Sequence, residues 1–185
     1  MSKDVTEKIK TLAMPDGVFE VKVTRDETIR PRAAGRDNAE FLFSANLGEA
    51  PKDLVAVASG GELSRLALAI EVLTSRKGST QTLIFDEVDT GISGRTASAV
   101  GELLHLLGQD VQVITVTHLP QVAASADHQF LVTKSQQGQN VVSVVTELDT
   151  DGRVEEISRM MGGNVVTEAT RQSALALLKQ ALAKP

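Results

Sequence analysis

Several residue types and segments that would narrow the function are missing from this chain. There is no cysteine, so a fold held together by disulfides is excluded. Tryptophan and tyrosine are absent and only five phenylalanines occur, which argues against the aromatic stacking surfaces of proteins that bind single-stranded nucleic acid. No apolar run approaches about 18 residues and no charged-then-apolar leader begins the chain, so we expect a cytoplasmic protein without a membrane span.

An excess of positive charge is lacking too. The formal net charge is -5, which argues against a protein that coats nucleic acid by its overall charge. A local basic patch is compatible with that average: Arg30, Arg32 and Arg36 lie in one loop that could contact DNA phosphates, although a solvated loop is the simpler interpretation. With 185 residues and 42% hydrophobic content, the chain can form one domain with a sizeable core.

The loop that cradles nucleoside triphosphates in many enzymes is also absent. Its pattern is G-x-x-x-x-G-K-[ST], and none of the 14 glycines in this chain is followed by lysine. The chain on its own therefore lacks the phosphate cradle and cannot be a complete ATPase.

The hydrophobic pattern that is present predicts a mixed α/β fold. Apolar residues at helical spacing are followed by two alternating segments, which predict an antiparallel strand pair. The centre of the chain predicts a β-α-β unit with parallel strands. The predicted elements are a helix through 5–12, strands at 18–23 and 40–45, a helix from 59, a strand at 82–86, a helix through 100–107, a strand at 111–117, a hairpin within 128–148, and helices at 154–161 and 165–183.

The helix from residue 59 begins with two glycines. Ser59 and Glu62 have the S-x-x-E spacing of a capping box, which does not explain Gly60 and Gly61, each costing about 1 kcal/mol relative to alanine within a helix. Glycines at a helix N-terminus expose backbone amides where the helix dipole is positive, which suits a phosphate that approaches closely. A structural cap alone is the alternative. The spacing predicts a buried stripe of Leu63, Leu66, Ala67, Ile70 and Leu73, with Glu62, Arg65 and Glu71 elsewhere on the helix.

Two carboxylates follow the strand at 82–86, in the form of a Walker B segment. Asp86 could hold Mg²⁺ through its waters, and Glu87 could orient and deprotonate an attacking water. His118 follows the next parallel strand, and the carboxyl ends of parallel strands share one edge of a sheet, so we expect it near Asp86. The alternatives are a solvated strand end and a loop histidine without a role.

The order of these groups carries more information than any one of them. This order resembles the second half of ABC-type ATPase heads. There the helix that opens with Ser59-Gly60-Gly61-Glu62 would be the signature loop, Asp86-Glu87 the Walker B segment, Asp89-Thr90-Gly91 the D-loop and His118 the switch histidine. More narrowly, the segments that resemble the RecN family of bacterial DNA-repair proteins, relatives of the SMC family, are ASGGELSRLALAI, IFDEVDTGISGRTA, VTHLPQVAASADHQFLV and EEISRMMGG. The resemblance covers most of residues 14–163.

This resemblance implies the C-terminal half of an ABC/SMC-like ATPase head that acts in double-strand break repair and recombination. In the family, the P-loop lies in an N-terminal segment beyond a long coiled-coil arm, and both segments fold as one head. Residues 1–13 would then be the end of the arm helix and 14–185 the head segment. The implied cofactors are ATP and Mg²⁺. The implied partners are the N-terminal half, a second head in a homodimer and DNA, and the isolated chain is expected to be inactive.

The resemblance also assigns roles to individual residues. Asp89 is followed by Thr-Gly-Ile-Ser-Gly, which departs from the common D-loop and leaves its contacts open. The implied site consists of Asp86 as metal ligand, Glu87 and His118 as catalytic residues, and Ser59, Gly60, Gly61, Glu62 and Asp89 as contacts to ATP held between two heads.

Two other functions are compatible with parts of the sequence. The run from Asp86 to Asp89 matches the D-E-x-D box of a helicase. Such an enzyme would carry its P-loop upstream in the same lobe, and the Ser-Gly-Gly-Glu start of the helix would have no function in it. A catalytically inactive scaffold that binds other chains or DNA is favoured by the missing P-loop. The presence of Asp86, Glu87 and His118 argues against it.

Overall fold

The computed structural model describes residues 1–25, 27–28, 35–54, 59–74, 82–137, 140–163 and 165–182. The predicted elements are present in the predicted order with shifted ends, and the structure adds two short elements that were not predicted, a strand at Lys52–Asp53 and a helix at Pro120–Ala124. The helices in this part of the chain are α1 Ser2–Lys10, α2 Gly60–Thr74, α3 Gly94–Gly108, α4 Pro120–Ala124, α5 Thr150–Gly162 and α6 Glu168–Leu182. The strands are β1 Val18–Arg25, β2 Asp37–Ser44, β3 Lys52–Asp53, β4 Thr82–Phe85, β5 Gln112–Thr115, β6 Phe130–Gln137 and β7 Asn140–Glu147.

The described strands form three separate sheets. The first has the order β1-β2-β3 and is antiparallel, which confirms the predicted strand pair. The second consists of β4 and β5, which are parallel and place Ile84 opposite Ile114, as the predicted β-α-β unit requires. The third is the predicted hairpin, β6 with β7, which places Val132 opposite Val145.

The main core forms where α1, the first sheet, α2, β4 and α3 meet. Val5, Ile9 and Leu12 are completely buried, as their helical spacing predicts. Phe19 of β1 and Phe43 of β2 are buried against them, and the Phe19 amide donates to the Thr6 hydroxyl at 3.0 Å. A smaller core lies between α4, α5 and α6; its buried residues are Ala123, Ala124, Val154, Ile157, Ala174 and Leu178.

The predicted buried stripe of α2 is wrong in most positions. Leu63 and Leu73 are each 40% exposed and Ala67 is exposed, whereas Leu66 is buried. The side of α2 that packs inward instead carries Gly61, Arg65, Leu66, Leu68 and Ala69. The reason is tertiary: this face meets α1 and the loop after β4, while Leu63 and Ala67 line an open groove beside β4.

One face of the β4-β5 sheet is exposed. Leu83, Phe85 and Val113 pack toward the core, while the alternate residues Ile84 and Ile114 are 71% and 47% exposed, and Val116 just beyond β5 is 60% exposed. Parallel sheets are normally covered on both faces, and among the described residues this face of the sheet stays exposed. None of the helices in the described part of the chain is long and apolar enough to cross a bilayer.

Candidate functional site

The N-terminus of α2 contains the predicted capping box. The Ser59 amide donates to Glu62 Oε2 at 2.9 Å, and the Glu62 amide donates to Ser59 Oγ at 3.3 Å. Each side chain satisfies a backbone donor that the first helical turn would otherwise leave unpaired. Both side chains are exposed or half-exposed, so the cap leaves this helix end open to solvent.

The two glycines are explained in part by close contacts within the chain. A Cβ on Gly60 would lie 2.5 Å from Glu87 Oε2, and a Cβ on Gly61 would lie 3.1 Å from the Thr90 carbonyl oxygen. Real Cβ atoms rarely come this close to another atom. The start of α2 therefore packs directly against the segment that follows β4, a contact that the sequence pattern did not reveal.

The Asp86-Glu87 pair lies at the end of β4, as predicted. The Ser64 hydroxyl of α2 donates to the Asp86 carbonyl oxygen at 2.8 Å, and the Glu87 amide donates to Asp86 Oδ1 at 2.9 Å. Glu87 has a φ of 58°, in the left-handed region that non-glycine residues rarely adopt. Such strained residues cluster at functional sites, which is consistent with the predicted role of this carboxylate.

Asp89 is buried, with 2% of its surface exposed. Its Oδ2 accepts hydrogen bonds from the Thr117 hydroxyl at 2.5 Å and from the His118 amide at 3.0 Å, and it lies 3.3 Å from His118 Nδ1. The His118 side chain itself is 70% exposed. The structure thus joins the predicted residues Asp89 and His118, and it commits the Asp89 carboxylate to contacts within the chain.

Sequence reasoning missed Arg65, which lies at the centre of this arrangement. The residue is 5% exposed, and its Nη1 donates to the Thr90 carbonyl oxygen at 2.8 Å and to that of Val88 at 3.5 Å. Burial lowers the pKa of the Arg65 guanidinium, and the charge of Glu62 opposes that effect. The sequence did contain one indication of its position: Arg65 follows Gly61 by four residues and therefore lies on the same face of the helix.

The residues present fit one part of a magnesium-nucleotide site. The described residues contain no group of three or more His, Cys, Asp or Glu side chains that could hold a metal ion. Mg²⁺ needs only one or two carboxylates because it keeps several waters, and the exposed Asp86 carboxylate suits that mode. The phosphate cradle would have to come from elsewhere. Of the basic loop, Arg30 and Arg32 lie outside the described residues.

Comparison with known proteins identifies the family. No protein-family model matches the chain. The DNA repair protein RecN of Haemophilus influenzae is 46% identical over 178 residues, which is 96% of this chain and 32% of that protein. RecN of Vibrio cholerae is 42% identical over 178 residues, again 96% of this chain and 32% of that protein. The chain belongs to the RecN family. It spans about a third of the length of these RecN relatives.

Solved structures establish the fold. The Smc head domain with a coiled coil and joint from Pyrococcus yayanosii matches 86% of this chain, and the chain covers 29% of it, with a TM-score of 0.58 and 21% identity. A second structure comes from work on ATP-driven dimerization and DNA-stimulated activation of SMC ATPases. The match includes 89% of this chain and 92% of that chain, with a TM-score of 0.52 and 20% identity. The predicted fold class, an ABC-type ATPase head lobe, is confirmed for this RecN-family chain.

Proposed function

We propose that this chain is the C-terminal part of the ATP-hydrolysing head of a RecN-type protein that acts in the repair of DNA double-strand breaks. The observation that carries the proposal is the cluster formed by the start of α2 and the ends of β4 and β5. In that cluster a Cβ on Gly60 would meet Glu87, and Asp89 accepts a hydrogen bond from His118. Each of these residues belongs to one of the motifs in the sequence.

The geometry supports distinct roles at the ends of β4 and β5. Asp86 is exposed and would hold the Mg²⁺ that accompanies ATP, which neutralises phosphate charge when bound. Glu87 is also exposed and would orient a water and accept its proton. His118 presents most of its imidazole to solvent and would contact the terminal phosphate. Ser59, Gly60, Gly61 and Glu62 would face the nucleotide of a second head.

The exposed sheet face supports a partner that completes the lobe. Ile84, Ile114 and Val116 form an apolar surface on the face of β4-β5 that remains exposed in the part of the chain that the structure describes. The β6-β7 hairpin has exposed apolar residues as well, with Val132 at 59% and Val145 at 63%, and two strands alone are marginally stable. An N-terminal segment that supplies the P-loop and further strands would cover both surfaces. Without it, we expect the chain to show no ATP turnover.

The remaining partners rest on the family and on the shape of the site. One of the similar solved structures comes from work on SMC ATPases that dimerise with ATP and are activated by DNA. The exposed start of α2 is consistent with closure of two heads on ATP. Helix α1 would be the last turns of the arm, which here dock on β1 through the Thr6-Phe19 hydrogen bonds.

Glu87→Gln in the full-length protein tests the proposal. Glutamine has the size of glutamate and can hydrogen-bond a water, but it cannot accept its proton, so turnover should fall about 10² to 10⁴-fold while ATP binding remains. Asp86→Asn should weaken both ATP binding and turnover, because it weakens the Mg²⁺ position. The control is Glu49→Gln, at an exposed loop glutamate. Wild-type turnover by Glu87→Gln would remove Glu87 from the catalytic role.

A catalytically inactive scaffold is the second candidate. The specific observation in its favour is that no glycine of this chain precedes a lysine, so the chain has no phosphate cradle of its own. The same experiment separates the two functions. A scaffold would show no nucleotide turnover in the full-length protein, and none of the three substitutions would alter its behaviour.

A further inference from the structure

Arg65 links the start of α2 to the loop after β4. It lies one helical turn after Gly61, and its guanidinium reaches the carbonyl oxygens of Val88 and Thr90. Those two residues flank Asp89, so the arginine fixes the backbone on both sides of that carboxylate. Gly61 allows the close approach, because a Cβ there would lie 3.1 Å from both Arg65 Nη1 and the Thr90 carbonyl oxygen.

Asp89 extends this connection to His118. Its Oδ2 accepts from the His118 amide and from Thr117, the residue before the histidine, and it lies 3.3 Å from His118 Nδ1. A carboxylate can only accept hydrogen bonds. At 3.3 Å the pair lies within ion-pair distance. A neutral imidazole that donates to Asp89 from this position would carry its proton on Nδ1 and leave Nε2 free to accept a hydrogen bond or a proton.

We propose that Arg65 and Asp89 are positioning residues for His118. Arg65 fixes the loop at 88–90, and Asp89 within that loop fixes the orientation and the tautomer of the imidazole. The consequence for catalysis rests on the proposed function: the start of α2 would face the nucleotide of one head and His118 that of the other.

Burial of Arg65 is difficult to explain by stability alone. The guanidinium donates to carbonyl oxygens rather than to a carboxylate, and its Nε is buried without a hydrogen-bond partner among the residues that the structure describes. Buried charges carry a desolvation cost, and apolar residues of similar volume are often at least as stabilising. Arg153 is bonded in the same way, so what distinguishes Arg65 is that its two carbonyl partners flank Asp89.

The tautomer of His118 tests the proposal without any nucleotide. The chain contains three histidines, His105, His118 and His128, so its ring nitrogens can be assigned in a ¹⁵N-histidine-labelled sample. Long-range proton-nitrogen correlation spectra at about pH 8.5, where imidazole is ordinarily neutral, distinguish the two tautomers. We expect the Nδ1-protonated form of His118 in the wild type. Arg65→Gln should shift it toward the Nε2-protonated form that predominates in free histidine.

Arg153 provides a matched control. This arginine is also partly buried, donates to the carbonyl oxygens of Ala126 at 2.6 Å and Asp127 at 3.2 Å, and has a buried Nε without a partner among the described residues. Arg153→Gln should therefore cost comparable stability and leave the His118 tautomer unchanged. An unchanged tautomer in Arg65→Gln, or an equal change in Arg153→Gln, would overturn the proposal.

A second variant covers the case in which Arg65→Gln does not fold. Asp89→Ala removes the acceptor directly and should abolish the preference of His118 for the Nδ1-protonated form; asparagine would not do so, because its amide oxygen can still accept from Nδ1. Retention of that preference in Asp89→Ala overturns the proposal, and so does a wild-type His118 that is protonated on Nε2. Because no nucleotide takes part, a negative result here leaves the proposed ATPase function unaffected.

Discussion

Replacing Ile84 with aspartate tests whether the exposed face of the β4-β5 sheet binds the rest of the head. Ile84 is 71% exposed, so in this chain the aspartate should be solvated and the fold should be retained. In the complete head the same position would be buried against the N-terminal segment. The substitution should therefore spare the stability of this chain and weaken its association with that segment.

The expected magnitude follows from the exposed fractions. Burying a whole isoleucine or valine side chain contributes about 1.5–3 kcal/mol. Scaled by exposures of 71%, 47% and 60%, burial of Ile84, Ile114 and Val116 amounts to about 3–5 kcal/mol, of which Ile84 supplies about 1–2 kcal/mol. An aspartate buried there would add a desolvation cost, so a loss of at least about 2 kcal/mol, or about 30-fold in Kd, is expected.

The assay is calorimetric titration of this chain with the N-terminal segment supplied as a separate polypeptide. Leu47→Asp is the control, because Leu47 is 84% exposed in the loop after β2 and lies outside the sheet face. It should leave the affinity within about two-fold of wild type, as is usual for surface substitutions. Wild-type affinity for Ile84→Asp, or an equal loss with Leu47→Asp, would refute the assignment of this face.

Two further predictions concern the start of α2 and the packing of α3. Ser59→Arg should cost about 1 kcal/mol through loss of the cap. It should also spare ATP binding by a single full-length head and block ATP-dependent dimerisation in light scattering; normal dimerisation would contradict the signature-loop role. Gly101→Ala should destabilise the chain in urea by about 1–2 kcal/mol, because its Cβ would lie 2.5 Å from Ser125 Oγ and 3.1 Å from the Gln121 carbonyl oxygen. Gly108→Ala has open space and should be neutral or slightly stabilising, so equal effects of the two alanines would show that the α3-α4 contact is wrong.

Much of the fold follows from local patterns in the sequence. The alternation in β1 and β2, the apolar run of β4 and the spacing of Val5 and Ile9 each report a periodicity that a strand or helix imposes. The capping box at Ser59 and Glu62 is equally local, since both hydrogen bonds close within one turn. These features were predictable because they depend on residues that are close in sequence.

The contacts within the site were not predictable in the same way. The face of α2 that is buried depends on α1 and on the loop after β4, and Leu63 is exposed in the open groove beside β4. The roles of Arg65 and Asp89 depend on partners 25 and 28 residues away, Thr90 and Thr117. The motif order indicated which residues belong together, while the hydrogen bonds between them required the tertiary structure.

The two glycines of α2 now have two explanations, and alanine at each position separates them. A Cβ on Gly61 would meet the Thr90 backbone, which cannot rotate away, so Gly61→Ala should destabilise the chain by about 1–2 kcal/mol. A Cβ on Gly60 would meet only the end of the Glu87 side chain, with the next Glu87 atom at 3.7 Å. Because that side chain can turn, Gly60→Ala should leave stability unchanged or raise it by up to about 1 kcal/mol. If Gly60 also faces a phosphate, Gly60→Ala in the full-length protein should still reduce ATP-dependent dimerisation. Turnover does not separate the explanations, because displacement of the Glu87 side chain would lower it as well. Full activity with unchanged stability would mean that neither Glu87 nor a nucleotide requires glycine at this position.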